Sequence, residues 1–306
     1  MSPILNALSV DVEDYFQVSA FSDVIPPGSW ERFDGRVERN TLHLLDLFDH
    51  RQAKATFFVL GWIAERYPQL VHEIHLRGHE VASHGHAHRP LDQLTPHAFR
   101  EEVRGAKAVL EALIGEPVFG YRAPSFSITR KTRWALDILC EEGFRYDSSI
   151  FPIHHDRYGI PDAPRFPHVI ELPGGTLSEF PPSTVALIGR TNLPIGGGGY
   201  LRLFPLWATR WGLRRINRLE RQPAMVYLHP WEIDPEQPRI HARWFSRWRH
   251  YTNLDTTVHR LDHLLREFQF GAIRTVLGLA GHRFDLARPA FLDEAGRHAR
   301  TPGGGA

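Results

Sequence analysis

Three imidazoles, His84, His86 and His88, fall within one short stretch that reads Ser-His-Gly-His-Ala-His-Arg-Pro-Leu over residues 83–91. His84 and His88 are four apart, a spacing that brings side chains about 5–6 Å from each other on one turn. Two imidazoles at that separation suit one divalent ion. Gly85 and Pro90 argue against a long helix, so a strand end followed by a tight turn is expected. A second cluster, Asp11-Val-Glu13-Asp14, offers three carboxylates in four residues. His84, His88 and one of those carboxylates form a two-histidine, one-carboxylate set that leaves positions open for water or substrate. Arg122 could keep a further carboxylate ionised and oriented as a base, and His229 could serve as general acid. Together these are the parts for metal-assisted hydrolysis of an amide or ester.

Elements must deliver these groups to one place. Residues 4–10 form a short apolar run ending at the carboxylates, and residues 55–60 form a second. Residues 80–83, 118–122, 144–146 and 224–228 are further short strands, ending at the histidine stretch, at Arg122, at Asp147-Ser148-Ser149 and at His229. Between them lie amphipathic segments: 37–50, 62–77 with a break at Pro68, 95–114 with Thr95 as N-cap, and 130–142 with Thr129 as cap. This βαβ alternation predicts a parallel sheet with its site at the carboxyl ends of the strands.

Residues 151–202 interrupt the pattern with many Pro and Gly, and two β-like pieces at 169–172 and 177–180. The glycine run 196–199 lacks phosphate-loop spacing and reads as a loop needing unusual backbone angles. Residues 203–220 read as one helix carrying Trp207 and Trp211, 257–268 as a last helix, and 271–277 as a last strand. The stretch 235–250 mixes Arg, His and Trp, a combination that binds sugar rings or phosphates and equally forms packed surface. From about 281 the chain is polar, so a poorly ordered tail is expected.

Composition sets the outer bounds. The 306 residues are 42% apolar and 23% charged, ordinary for a globular chain. The formal charge of +1 argues against nucleic acid as partner. Cys140, alone in the sequence, precludes an intrachain disulfide and reads as a core residue. No signal peptide or membrane-length apolar run is seen, so a cytoplasmic protein without a membrane span is expected.

The order of these motifs resembles the polysaccharide deacetylase family, carbohydrate esterase family 4, whose NodB homology domain is a distorted (β/α) barrel. Ser9-Val-Asp-Val-Glu-Asp-Tyr-Phe16, Gly120-Tyr-Arg-Ala-Pro-Ser-Phe126, Tyr146-Asp-Ser-Ser149 and Leu228-His-Pro-Trp-Glu232 resemble a branch associated with exopolysaccharide gene clusters and exosortase sorting. That branch carries an extra C-terminal region. The resemblance implies an α/β fold with a catalytic domain over residues 1–230, strand elements reaching 278, a packed extension over 231–280 and the tail beyond. It implies Asp11 as base, His84 and His88 as metal ligands, Arg122 orienting the base, Pro124 lining the groove and His229 as acid. Where most members place a second aspartate directly after the first, this chain has Val12. Glu13 is then the expected carboxylate ligand, sharing a strand face with Asp11, and Asp14 is its rival. The cofactor implied is a divalent ion, zinc. The substrate implied is a polysaccharide or oligosaccharide that loses N-acetyl groups. A backbone N–H near 146–149 is expected to meet the oxyanion. Tyr146, Asp147, Trp231 and Tyr200 are expected to line the sugar cleft, and His86 to stand outside the ligand set. Rival readings are a hydrolase of a formamide or cyclic ureide, and a glycan-binding relative without catalysis.

Overall fold

The computed structural model describes residues 3–187 and 191–279, so the tail expected from 281 onward lies outside the described residues. Five parallel strands come first: β1 (Leu5–Val12), β2 (Thr56–Val59), β3 (Glu80–Ser83), β4 (Gly120–Tyr121) and β5 (Tyr146–Asp147). β6 (His168–Leu172) and β7 (Gly175–Glu179) form an antiparallel hairpin, and β8 (Thr184–Ala186) pairs with β9 (Asn192–Pro194) in a small separate sheet. β10 (Met225–Leu228) and β11 (Gln269–Gly271) return to β1. The main sheet runs β10-β1-β2-β3-β4-β5-β7-β6. Ala7 is paired with both Met225 and Gly271, so β11 lies on the β2 edge of β1. Ile273 N–H donating to Thr56 Oγ1 at 2.8 Å seals that junction.

Between β7 and β10 the described residues form no ladder, and the barrel is completed there by other means. Met225 N–H donates to Ser183 Oγ at 2.6 Å, and Gly197 bridges Tyr227. Gly197 has φ of +145°, and a Cβ there would collide with the Tyr227 carbonyl. This distortion explains the glycine run: only a residue without a side chain lets the two backbones touch.

Two cores follow from the period of two along each strand. Leu8, Val10, Val12, Phe57, Val59 and Val81 face outward into the layer packed by the helices. Ala7, Phe58, Ala82, Tyr146, Phe180 and Met225 fill the barrel interior. Continuing that inner face upward by twos leads from Ala7 through Ser9 to Asp11, from Ala82 to His84, and from Met225 through Tyr227 to His229. The alternation therefore aims three chemically competent groups at one mouth.

The outer layer contains α1 (Val37–His50), α2 (Gly61–Arg66), α3 (Pro68–Leu76), α4 (Pro96–Ile114) and α5 (Trp134–Glu141). The α2/α3 break falls at Pro68 as expected, since proline cannot supply the next N–H. Thr95 caps α4 by accepting from Ala98 N–H at 3.2 Å, and Gly115 ends it in the left-handed conformation. Cys140 is only half-buried on α5, not in the core.

The helix expected over 203–220 is divided. α6 (Gly199–Leu203) stops before Pro205, α7 (Leu206–Arg215) begins after it, and a π-turn covers Ile216–Glu220. α8 (Trp244–Tyr251), α9 (Thr257–Glu267) and α10 (Ile273–Val276) complete the chain. The strand expected at 271–277 is mostly α10, because a short apolar run does not distinguish strand from helix.

Candidate active site

β1 carries Asp11 and leads to Glu13, both nearly inaccessible at 2% and 3% exposure. Asp11 is held by Arg122, whose Nη1 donates to Oδ1 at 2.6 Å. Arg122 is fully buried and all its donors are occupied by fixed groups. Nη1 also reaches Ser9 Oγ at 2.9 Å, Nε the Ser148 carbonyl at 3.1 Å, and Nη2 Ser148 Oγ at 2.8 Å. Its guanidinium lies 4.2 Å from the Phe58 ring centroid. One cation thus ties β1, β2 and the end of β5 together below the mouth.

The histidine loop is fixed from two sides. His84 N–H continues the β3 ladder to the Val59 carbonyl at 3.0 Å. Glu102 on α4 accepts from the N–H groups of His86 and Ala87, and its second oxygen accepts from Arg89. His88 has φ of +50°, an uncommon conformation for a residue with a side chain. The turn sends His84 and His88 to the same point, their rings 5.3 Å apart. His84 Nδ1 lies 2.8 Å from the Arg122 carbonyl, so that nitrogen carries the proton and Nε2 is left for a ligand. Burial lowers the His84 pKa to about 4, which keeps the ring neutral and able to coordinate.

Donor atoms of Glu13, His84 and His88 lie within 4.8 Å of one another. Glu13 Oε2 approaches His88 Nε2 at 2.7 Å, yet it is a buried acceptor without a well-formed hydrogen bond. Two groups that converge without bonding well are arranged to share a cation, so these residues fit a divalent metal. Burial works against the Glu13 carboxylate, but His88 and His229 outweigh it and hold its pKa well below the ordinary range.

His229 reaches the mouth from the end of β10, the strand paired with β1. Its Nε2 is 3.8 Å from Asp11 Oδ2 and 3.5 Å from Glu13 Oε1. Its Nδ1 meets Glu232 Oε2 at 3.1 Å, and that same oxygen accepts from the His229 N–H at 3.0 Å. Glu232 is in turn fixed by buried Arg202, whose Nε donates at 2.7 Å. Burial opposes a charged His229, but Glu13, Glu232 and Asp11 prevail and raise its pKa to about 9. Burial would also raise Glu232; Arg202 and His229 instead lower it to about 2. His229 thereby favours its protonated form beside Asp11.

The structure brings Asp11, Glu13, His84, His88, Arg122 and His229 together and sets other expected residues apart. Asp14 turns away: its Oδ2 accepts from the N–H groups of Arg36 and Val37 at the start of α1, and burial raises its pKa to about 6. Tyr146 is wholly buried in the barrel interior, edge-on to Phe58, and does not line a cleft. Asp147 is equally buried and accepts from the Ser149 hydroxyl at 2.5 Å. Burial raises its pKa and, with the charge of Asp147 added, raises that of adjacent Glu179. The N–H groups of Tyr146, Ser148 and Ser149 are already bonded to Phe119 O, Tyr121 O and Asp147 Oδ2, so none is free for an oxyanion.

Trp231 is beside the mouth, its Nε1 donating to Glu13 Oε1 at 3.2 Å. Pro124 is buried in a single turn directly after Arg122. His86 points away to Glu65 at 3.2 Å. Glu232 and Arg202 were not anticipated. The signal for Glu232 was present in His-Pro-Trp-Glu, a proline at the first helical position with Glu three residues after the cap.

Residues 30–139 match the family described as polysaccharide deacetylase, and residues 148–278 match a domain of unknown function, DUF3473. The chain is similar to the peptidoglycan deacetylase-like protein FGM2 of Gibberella zeae, 32% identical over 32% of this chain and 28% of that one. It is also similar to a peptidoglycan-N-acetylglucosamine deacetylase of Bacillus cereus, 30% identical over 34% of this chain and 38% of that one. The chain thus spans about a third of the length of these curated relatives. A structure from Mycobacterium smegmatis, assigned as a polysaccharide deacetylase, superposes with a TM-score of 0.57 at 18% identity, covering 95% of this chain and 99% of that one, a likeness of fold. The matched segment, residues 30–139, carries the paired histidines and is a polysaccharide deacetylase domain, and the chain as a whole has the distorted (β/α) barrel of the NodB type.

Proposed function

We propose that this protein removes N-acetyl groups from amino-sugar residues of a polysaccharide, in the making or modification of an exopolysaccharide. The observation that carries the reading is the convergence of Asp11 and His229, 3.8 Å apart, on the converging donor atoms of Glu13, His84 and His88. A base and an acid beside a donor set are what amide hydrolysis needs and what glycan binding alone does not. A divalent ion held by Glu13, His84 and His88, zinc in this proposal, would supply Lewis acidity toward the acetamido carbonyl. Asp11, oriented by Arg122, takes a proton from the attacking water. The water oxygen bonds to the carbonyl carbon. As the C–N bond breaks, His229 passes the Nε2 proton to the departing amine, leaving acetate and a free amino sugar. Glu232 holds Nδ1 so that Nε2 faces the reaction. Among the described residues no helix is long and apolar enough to cross a membrane.

The test is metal analysis of the purified protein together with acetate release from chitooligosaccharides and from an acetylated exopolysaccharide. The reading expects bound divalent metal, acetate release abolished by chelation, and loss of about 10²–10⁴-fold in Asp11→Asn. An Asp11→Asn variant as active as the parent overturns it. Turnover of a formamide or cyclic ureide with no acetate from any glycan moves the assignment to another amide.

A further inference from the structure

Family-specific residues form a second concave feature beside the catalytic mouth. α6 and α8 enclose a cleft of about 210 Å³ lined by His155, Tyr200, Leu203, Phe245, Trp248 and Arg249. All six lie in the segment matched to the domain of unknown function. Phe245 and Trp248 are stacked, their planes 24° apart with centroids at 6.1 Å, and they are 52% and 50% exposed. Large aromatic faces kept in water at adjacent helix positions are uncommon unless something covers them. The chain from 237 to 254 carries Arg239, Arg243, Arg247 and Arg249 and no acidic residue. Two of these arginines rest on aromatic rings, Arg239 on Tyr251 and Arg249 on Phe245.

We propose that this cleft is a distal subsite for the sugar rings of an acidic polysaccharide, the same polymer whose acetamido group is presented to His229; the proposal rests on the deacetylase reading. Flat aromatic faces fit the C–H faces of pyranose rings, and guanidinium groups that make no ion pair among the described residues fit their carboxylates. Residues on both sides of the cleft are packed, through buried rings, toward His229. On one side His250, next to Arg249, stacks on Trp231 at 4.1 Å, and Trp231 stacks on His229 at 5.2 Å. On the other side Tyr200 sits against Tyr158, which packs on Phe126 and through it on Tyr227, adjacent to His229. These few buried ring contacts separate the cleft from His229, so the cleft lies within a few sugar-ring lengths of the mouth. A membrane surface would favour a convex apolar face. Here Phe245 and Trp248 line a concavity opposite Tyr200 and His155, which favours a ligand of ring-sized width.

The experiment measures binding of hyaluronan oligosaccharides, which alternate N-acetylglucosamine with glucuronate, to the full chain by calorimetry. The variants are Trp248→Ala, Trp248→Phe and Arg249→Ala, each also in the Asp11→Asn background so that binding is read without turnover. Affinity is expected to rise with oligosaccharide length and then to fall about five-fold for long chains in Trp248→Ala and Arg249→Ala. Disaccharide binding stays unchanged, and Trp248→Phe restores most of the long-chain affinity. With active enzyme, KM for long substrates rises while kcat holds. Equal affinity of parent and variants for long chains overturns the subsite. So does binding of phosphatidylglycerol vesicles lost in Trp248→Ala with glycan binding intact, which assigns the surface to lipid. Trp248-dependent glycan binding with no acetate released from any substrate keeps the subsite and removes the deacetylase reading instead.

Discussion

Replacing Glu232 by Gln isolates what sets the protonation of the proposed acid. His229 is raised from 6.5 to about 9, a preference for the imidazolium of roughly 3 kcal/mol. Burial opposes that preference, so the carboxylates must supply more than the net. Glu232 acts twice, by its charge and by the bond to Nδ1 at 3.1 Å, alongside Glu13 and Asp11. Its share is then on the order of 1 kcal/mol, close to one pH unit. Gln keeps the side-chain shape, and its amide oxygen can still accept from Arg202. The sign follows from the role. His229 donates a proton, so activity is lost as pH rises through its pKa, and removing a negative neighbour lowers that pKa. The alkaline limb of kcat/KM should therefore move down by about one pH unit in Glu232→Gln, with rates near pH 6.5 within about three-fold of the parent. Acetate release from chitopentaose between pH 5 and 10 measures it, with circular dichroism to establish folding. A folded variant whose alkaline limb stays in place would refute the assignment of Glu232 as the group that sustains the acid.

Three further expectations concern stability. Arg122→Met leaves Asp11 buried without its cation and should cost about 3–5 kcal/mol, read as a lowered thermal midpoint with loss of activity; an unchanged melt contradicts the central role given to Arg122. Gly197→Ala must drive a Cβ into the Tyr227 backbone and should cost at least ~3 kcal/mol, whereas Gly105→Ala on α4, with open space at its Cβ, should stabilise by roughly 0.5–1 kcal/mol. Burial lowers the pKa of His79 from 6.5 to about 4, so the unfolded chain binds the extra proton in that window. Its contribution of roughly 3 kcal/mol is complete above pH 6.5 and lost as pH falls toward 4. Urea unfolding across that range should show a flatter pH dependence in His79→Asn; identical slopes would count against it.

Much of the site was legible because strand alternation and motif order are local. α1 has the bounds read from its apolar stripe, and Pro68 and Thr95 punctuate the helices where their chemistry requires. The pairing of His84 with His88 needs only a turn. What was not legible depends on direction within very short elements. β5 has two residues, too few for a period of two to reveal that Tyr146 faces the barrel interior. Asp14 and Glu13 are adjacent in sequence, and only the turn after Val12 separates a helix cap from a donor to the metal set. Arg202 lies in a segment whose path is dictated by Gly197 meeting Tyr227, a contact across the barrel that no local pattern announces.

Arg122 joins two tasks that a site could have kept separate. Its guanidinium fixes Asp11, and its carbonyl fixes the tautomer of His84. The proposed proton acceptor and a proposed metal-binding imidazole are thus both held by the one residue that follows the two-residue strand β4. A displacement of β4 cannot retune one without disturbing the other. Metal affinity and base strength are consequently inherited together: a lineage drifting toward weaker metal binding through β4 would lose its base in the same step, and stepwise optimisation of either property has to come from elsewhere, from the Glu102-held loop or from the Glu232 arm.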